Sequence, residues 1–239
     1  MIAFLCSSPV DRETNTVDPS NGFLELLLAA AGGRALRGLH VASDPEDAES
    51  TAFYADLTRR EFEEAGLRFA AYRVLDGRNA AEAPTLVAGA DFIVLAGGHV
   101  PTQNRFFNAI GLRELLAGWE GVLIGISAGT MNAAATVYAQ PELPGEATDP
   151  TYERFLPGLG LTEVNVLPHY QLVKDEVLDG LRVFEDVTYP DSLGRCFYAL
   201  PDGSFLYLRD GKTELRGEAW RIADGRCEKV CEPGRALAL

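Results

Sequence analysis

Apolar residues fall into short runs separated by longer amphipathic stretches. Ile2–Cys6, Leu36–Ala42, Leu67–Val74, Phe92–Ala96 and Val122–Ile126 read as strands. Runs of this length, poor in charge, suit strands buried on both faces of a parallel sheet. Helical segments fill the intervals. Phe23–Ala31 is predicted helical and stopped by Gly32-Gly33. Ser50–Ala65 places Phe53 and Leu57 at i, i+4 and ends at Gly66. Ala80–Ala88 reads as a short helix, Thr102–Ala117 as a longer one with Phe107 and Ile110 on one face, and residues 128–138 as another. Pro141–Pro157 is rich in proline and acid and reads as a surface loop.

The pattern changes after Thr162–Leu167, a strand ending at Pro168-His169. Arg195–Leu200, Ser204–Leu208, Thr213–Gly217 and Ala219–Ile222 are short β-rich segments, with Asp202-Gly203 and Asp210-Gly211 as expected hairpin turns. Alternating strands and helices followed by hairpins predict a three-layer α/β/α domain. Its sheet is mostly parallel, with an antiparallel C-terminal hairpin region. With no repeat or linker in 239 residues, the expectation is one domain spanning 1–239.

A net charge of −14 argues against nucleic-acid binding, which leaves a basic footprint. The N-terminal apolar run lacks a positive flank and reads as a strand rather than a signal peptide. The longest charge-free stretch, Val122–Pro141, carries Ser127, Thr130, Asn132 and Gln140, which suits a strand turning into a helix and not a membrane span. Cys6, Cys196, Cys227 and Cys231 are scattered and read as reduced thiols. No His accompanies Cys227 and Cys231 to complete a zinc site. These features point to a cytoplasmic location.

Candidate chemistry centres on Gly125-Ile126-Ser127-Ala128-Gly129, at the junction of a buried strand and a helix. There, Gly-x-Ser-x-Gly reads as a nucleophile elbow. The turn lifts the serine hydroxyl clear of the sheet and leaves the Ala128 N–H free for an oxyanion. A serine needs a base, and the chain has three histidines. His40 lies inside a strand and reads as structural. His99 and His169 both follow strand C-termini, where open parallel sheets collect ligands. His169, mounted behind Pro168, is the better base. His99 reads as a substrate contact, and its neighbour Gly98 as a second oxyanion donor. Asp202, Glu142 and Glu146 remain alternatives for the carboxylate that orients the base.

These blocks resemble the peptidase E (aspartyl dipeptidase) family of serine peptidases, distant relatives of cyanophycinases and of class I glutamine amidotransferase-like domains. The similarity runs over most of the chain. It is anchored at Ala96-Gly97-Gly98, at Gly125–Gly129, at Leu167-Pro168-His169-Tyr170 and at Leu200-Pro201-Asp202-Gly203-Ser204. The resemblance implies Ser127 as nucleophile, His169 as base, Asp202 as the acid, and the Gly98 and Ala128 N–H groups as the oxyanion hole. It implies neither metal nor cofactor. Family members carry Glu where this chain has Asp202. They also carry a basic Thr/Arg segment after the histidine, where this chain reads Gln171-Leu172-Val173-Lys174-Asp175-Glu176, with Arg182 as the next arginine. The expected activity is therefore hydrolysis of dipeptides or small amides, without Asp-X specificity being implied. An esterase and a silent small-molecule binding protein are the alternatives. Oligomeric state is open, a homodimer being one arrangement.

Overall fold

The computed structural model describes all 239 residues. Five strands alternate with helices in the first half: β1 (Ile2–Cys6), β2 (Ala35–Val41), β3 (Arg68–Leu75), β4 (Phe92–Leu95) and β5 (Val122–Ile126). The second half adds β6 (Asn165–Leu167), β7 (Cys196–Ala199), β8 (Phe205–Arg209), β9 (Lys212–Arg216), β10 (Ala219–Ala223), β11 (Arg226–Cys231) and β12 (Ala236–Ala238). The main sheet has eight strands in the order β12-β9-β8-β1-β5-β4-β2-β3. It is parallel from β1 through β5, β4 and β2 to β3, and antiparallel from β1 outward to β12.

Both faces of the central strands β1, β4 and β5 are covered, which is why these strands read as nearly continuous apolar runs. Alternate residues of β1 divide between two cores. Ala3 and Leu5 pack with Ile93, Leu95 and Leu123 against α3 (Ala83–Ala88), α4 (Val100–Ala109) and α5 (Leu112–Leu116). Phe4 and Cys6 pack with Phe92, Val94 and Ile124 against α1 (Phe23–Ala31) and α2 (Ala48–Glu64). The three-layer α/β/α arrangement follows.

Several local expectations change. The predicted helix over 102–117 is two helices, α4 and α5, because Gly111 turns left-handed at φ 63° between them. The predicted helix over 128–138 stops after one turn, α6 (Ala128–Met131); Thr136–Tyr138 instead pairs with Phe155–Pro157, inside the expected loop. In α2 the buried positions are Thr51, Ala55 and Phe62, while Phe53 is 59 % exposed. The hairpin region is also divided. β8 and β9, joined by Asp210-Gly211 with both residues at positive φ, extend the main sheet. β7, β10 and β11 instead join β6 in a separate four-stranded sheet. Asp202-Gly203 therefore connects two sheets rather than closing a hairpin. All four cysteines are free, and no helix is long and apolar enough to cross a membrane.

Candidate active site

The parallel strands β1, β2, β4 and β5 present their carboxyl ends to one side of the sheet, the place where such sheets bind ligands. Ser127 begins there, one residue past β5, at φ 50° and ψ −112°. Holding a non-glycine residue in such a sparsely populated region costs about 1–3 kcal/mol and needs support from the surroundings. The support is visible. Ser127 N–H donates to the carbonyls of Cys6 at 3.1 Å and Ser7 at 3.2 Å, and the Thr130 hydroxyl donates to Cys6 O at 2.8 Å. The flanking glycines are steric requirements. A side chain at Gly129 would enter the Leu95 carbonyl, and one at Gly125 would meet Thr130 Oγ1 at 2.9 Å.

His169 and Asp202 come from the second sheet, beyond the ends of β6 and β7. His169 Nε2 lies 2.9 Å from Ser127 Oγ, and its Nδ1 lies 2.6 Å from Asp202 Oδ1. His169 takes a left-handed conformation, φ 57°, directly after Pro168. Ser7 braces both partners: its hydroxyl accepts from His169 N–H at 2.7 Å and donates to Asp202 Oδ1 at 2.9 Å. Arg12 Nε and Gln171 Nε2 each donate to Asp202 Oδ2 at 2.8 Å. Burial opposes charge on Asp202. The hydrogen bond and charge of His169, the Ser7 hydroxyl and the Arg12 guanidinium outweigh it and hold the carboxyl well below the usual carboxylate range. An ionised Asp202 favours the tautomer with the proton on Nδ1, which leaves the Nε2 lone pair toward Ser127; Arg12 Nη2 also lies 3.2 Å from Nδ1.

Glu142 and Glu146 are engaged elsewhere. Glu142 accepts from Val100 N–H at 2.9 Å at the start of α4, and Glu146 Oε1 lies 2.8 Å from His99 Nε2. Burial raises the Glu142 carboxyl above its ordinary range. His99 Nδ1 lies 2.8 Å from Thr102 Oγ1, so both its ring nitrogens are occupied and the ring does not line the cavity beside Ser127. The N–H groups of Gly98 and Ala128 find no acceptor within the chain. Gly98 has φ 155°, and a side chain there would strike Ser43 Oγ at 2.5 Å. Gly97 lies directly against Ser127, where an added Cβ would be 3.4 Å from the serine Cβ.

A cavity of about 560 Å³ opens over this constellation. Its lining includes Ser127, His169, Gly97 and Gly98, and also His40, Asp44, Asp47 and Tyr54 from β2, α2 and the segment between them, β2 lying two strands from β5 in the sheet. The structure brings together Ser127, His169 and Asp202, three residues that the sequence reading puts forward. Ser7, Arg12 and Gln171, which surround Asp202, are not among its candidates. Ser7 and Arg12 follow the end of β1, and that position in a parallel sheet was the available signal.

Residues 41–216 match the model of peptidase family S51. No curated protein matches the chain. Among solved structures, a peptidase from an acI-B1 Actinobacterium superposes with a TM-score of 0.69 at 17% identity, covering 100% of this chain and 96% of that one. A putative peptidase E protein from Listeria monocytogenes EGD-e gives 0.58 at 17% identity, covering 96% of this chain and 98% of the other. At these identities the structural likeness bears on the fold.

Proposed function

Because the chain belongs to peptidase family S51, a family of serine peptidases, we propose that it hydrolyses dipeptides or small amides through an acyl-enzyme on Ser127. The observation that carries this reading is the unbroken hydrogen-bonded line Ser127–His169–Asp202, at 2.9 and 2.6 Å.

His169 Nε2 takes the Ser127 proton as Oγ attacks the scissile carbonyl. The new C–O bond makes a tetrahedral centre whose oxyanion faces the Gly98 and Ala128 N–H groups. Collapse breaks the C–N bond, and the amine departs with the proton held on Nε2. Water then enters, gives a proton to Nε2 and forms the new C–O bond. Oγ leaves, recovers its proton, and the carboxylic acid is released. Asp202 keeps the imidazole in the tautomer this sequence needs and stabilises the imidazolium that forms. Arg182, the arginine nearest after His169 in sequence, pairs with Asp186 at 2.8 Å. Asp-X specificity is accordingly no part of the proposal.

The test is labelling with a fluorophosphonate probe, followed by a dipeptide and ester panel. Wild type should label, and Ser127→Ala should not label and should lose at least about 10⁴ in kcat. An unlabelled wild type would turn the assignment toward a silent binding protein. Turnover of esters alone would turn it toward an esterase.

A further inference from the structure

The part of the cavity lined by β2 contains a residue whose ring has no hydrogen-bond partner. His40 is 2 % exposed, and neither of its ring nitrogens has a hydrogen-bond partner. It nevertheless lines the cavity. An unpartnered buried donor or acceptor is destabilising, and a polar group that enters the cavity could satisfy the ring. Burial depresses its pKa to about 4, so at neutral pH it has one acceptor nitrogen and one donor.

Two carboxylates, Asp44 and Asp47, line the same cavity. Asp44 accepts from Glu46 N–H and Asp47 from Ser50 N–H, each at 3.0 Å through Oδ1. Neither carboxylate forms a salt bridge, and Arg12, the only Lys or Arg lining the cavity, is paired with Asp202. An acidic substrate group placed here would face like charges. A cationic nitrogen would find two free carboxylate oxygens and an imidazole acceptor.

We propose that the part of the cavity lined by His40, Asp44 and Asp47 binds a cationic nitrogen of the substrate, either its α-ammonium or a basic side chain. This rests on the reading of Ser127 as the nucleophile, and it makes the substrate class of this chain basic rather than acidic.

The kinetic test compares 4-nitroanilides of alanine (α-ammonium alone), N-acetyl-lysine (side chain alone), N-acetyl-alanine (no charge) and N-acetyl-aspartate. At least one cationic substrate should exceed N-acetyl-alanine in kcat/KM by about tenfold, and the aspartate should fall below it. Which cationic arm responds identifies the source of the charge. The double variant Asp44→Asn/Asp47→Asn removes both charges while keeping a side-chain amide able to cap α2. In it the tenfold ratio should fall to near one. A preference for aspartate, equal rates, or a ratio indifferent to the double substitution would overturn the proposal. A parallel titration calorimetry arm uses Ser127→Ala protein with alaninamide, N-acetyl-lysinamide and N-acetyl-alaninamide. It needs no chemistry: tighter binding of a cationic amide, lost in the double variant, supports the site, and equal binding rejects it. If wild type fails to label with fluorophosphonate, the hydrolase reading falls, and the calorimetry still decides the cation site.

Discussion

At the elbow, Asp202 has four side-chain partners: Ser7, Arg12, His169 and Gln171. In the part of the cavity lined by β2, His40 has none, and Asp44 and Asp47 each have a single backbone donor among their hydrogen-bond partners. The first region is complete without a ligand: strain at Ser127 is held by the end of β1, and the charge of Asp202 is neutralised by its neighbours. The second has hydrogen-bonding capacity left over. On the proposed reading, such a separation fixes the geometry of bond-breaking at the strand ends and leaves recognition to residues of β2 and the start of α2.

The largest effects should come from the complete region. Asp202→Asn keeps the shape but offers His169 Nδ1 a different partner. It should lower kcat by about 10³–10⁴, by analogy with triad acids generally, with Ser127 still present but labelling slowly. Steady-state kinetics and the fluorophosphonate rate check this together; a loss under tenfold would remove Asp202 from the mechanism. Ser7→Ala leaves His169 N–H without its acceptor and Asp202 Oδ1 without one donor. The expected loss is about 10–100-fold in kcat with KM within about twofold, because Ser7 acts through the two partners and not on substrate. An equal rise in KM would mark Ser7 as a substrate contact instead.

The sequence carried some of this and hid the rest for identifiable reasons. β1, β4 and β5 were legible because burial on both faces demands apolar residues at every position. Ser127 was legible because Gly125 and Gly129 are forced by Thr130 and the Leu95 carbonyl, so the elbow leaves a local pattern. The segment after it was not. Ala133, Ala134 and Ala135 suit a helix, but Asn132 is tied to Asn104 and Gln103 at 2.9 and 3.1 Å, and the β-branched Thr136 and Val137 then pair with Pro157 and Leu156. These partners are distant in sequence. Asp202-Gly203 has the composition of a hairpin turn, yet its neighbours belong to different sheets, a fact set by β7 pairing with β6 rather than with β8. Ser7 and Arg12 reach Asp202 across 195 and 190 residues, with no local periodicity to announce it.

The smallest of these effects probes the incomplete region and concerns stability. His40 is buried without a partner, and its folded pKa of about 4 lies below the ordinary value of about 6.5. Well above pH 6.5 the ring is neutral in both states and contributes no pH dependence. Between pH 6.5 and 4 the unfolded chain takes up the proton and the folded chain does not, so stability falls as pH falls. From pH 7 to pH 5 the expected loss attributable to His40 is about 2 kcal/mol. Carboxylates contribute their own acid dependence. Asp202, whose folded pKa is depressed, loses its contribution only as pH falls below the ordinary carboxylate range. The comparison with His40→Gln isolates the histidine, since that variant keeps every carboxylate and removes the titrating ring. Urea unfolding of both proteins at pH 7 and pH 5 gives the difference of differences. A value near 2 kcal/mol places a neutral, unsatisfied imidazole in the cavity wall. A value near zero means that the ring already has a partner in solution, and the contrast between the two regions is then smaller than the structure draws it.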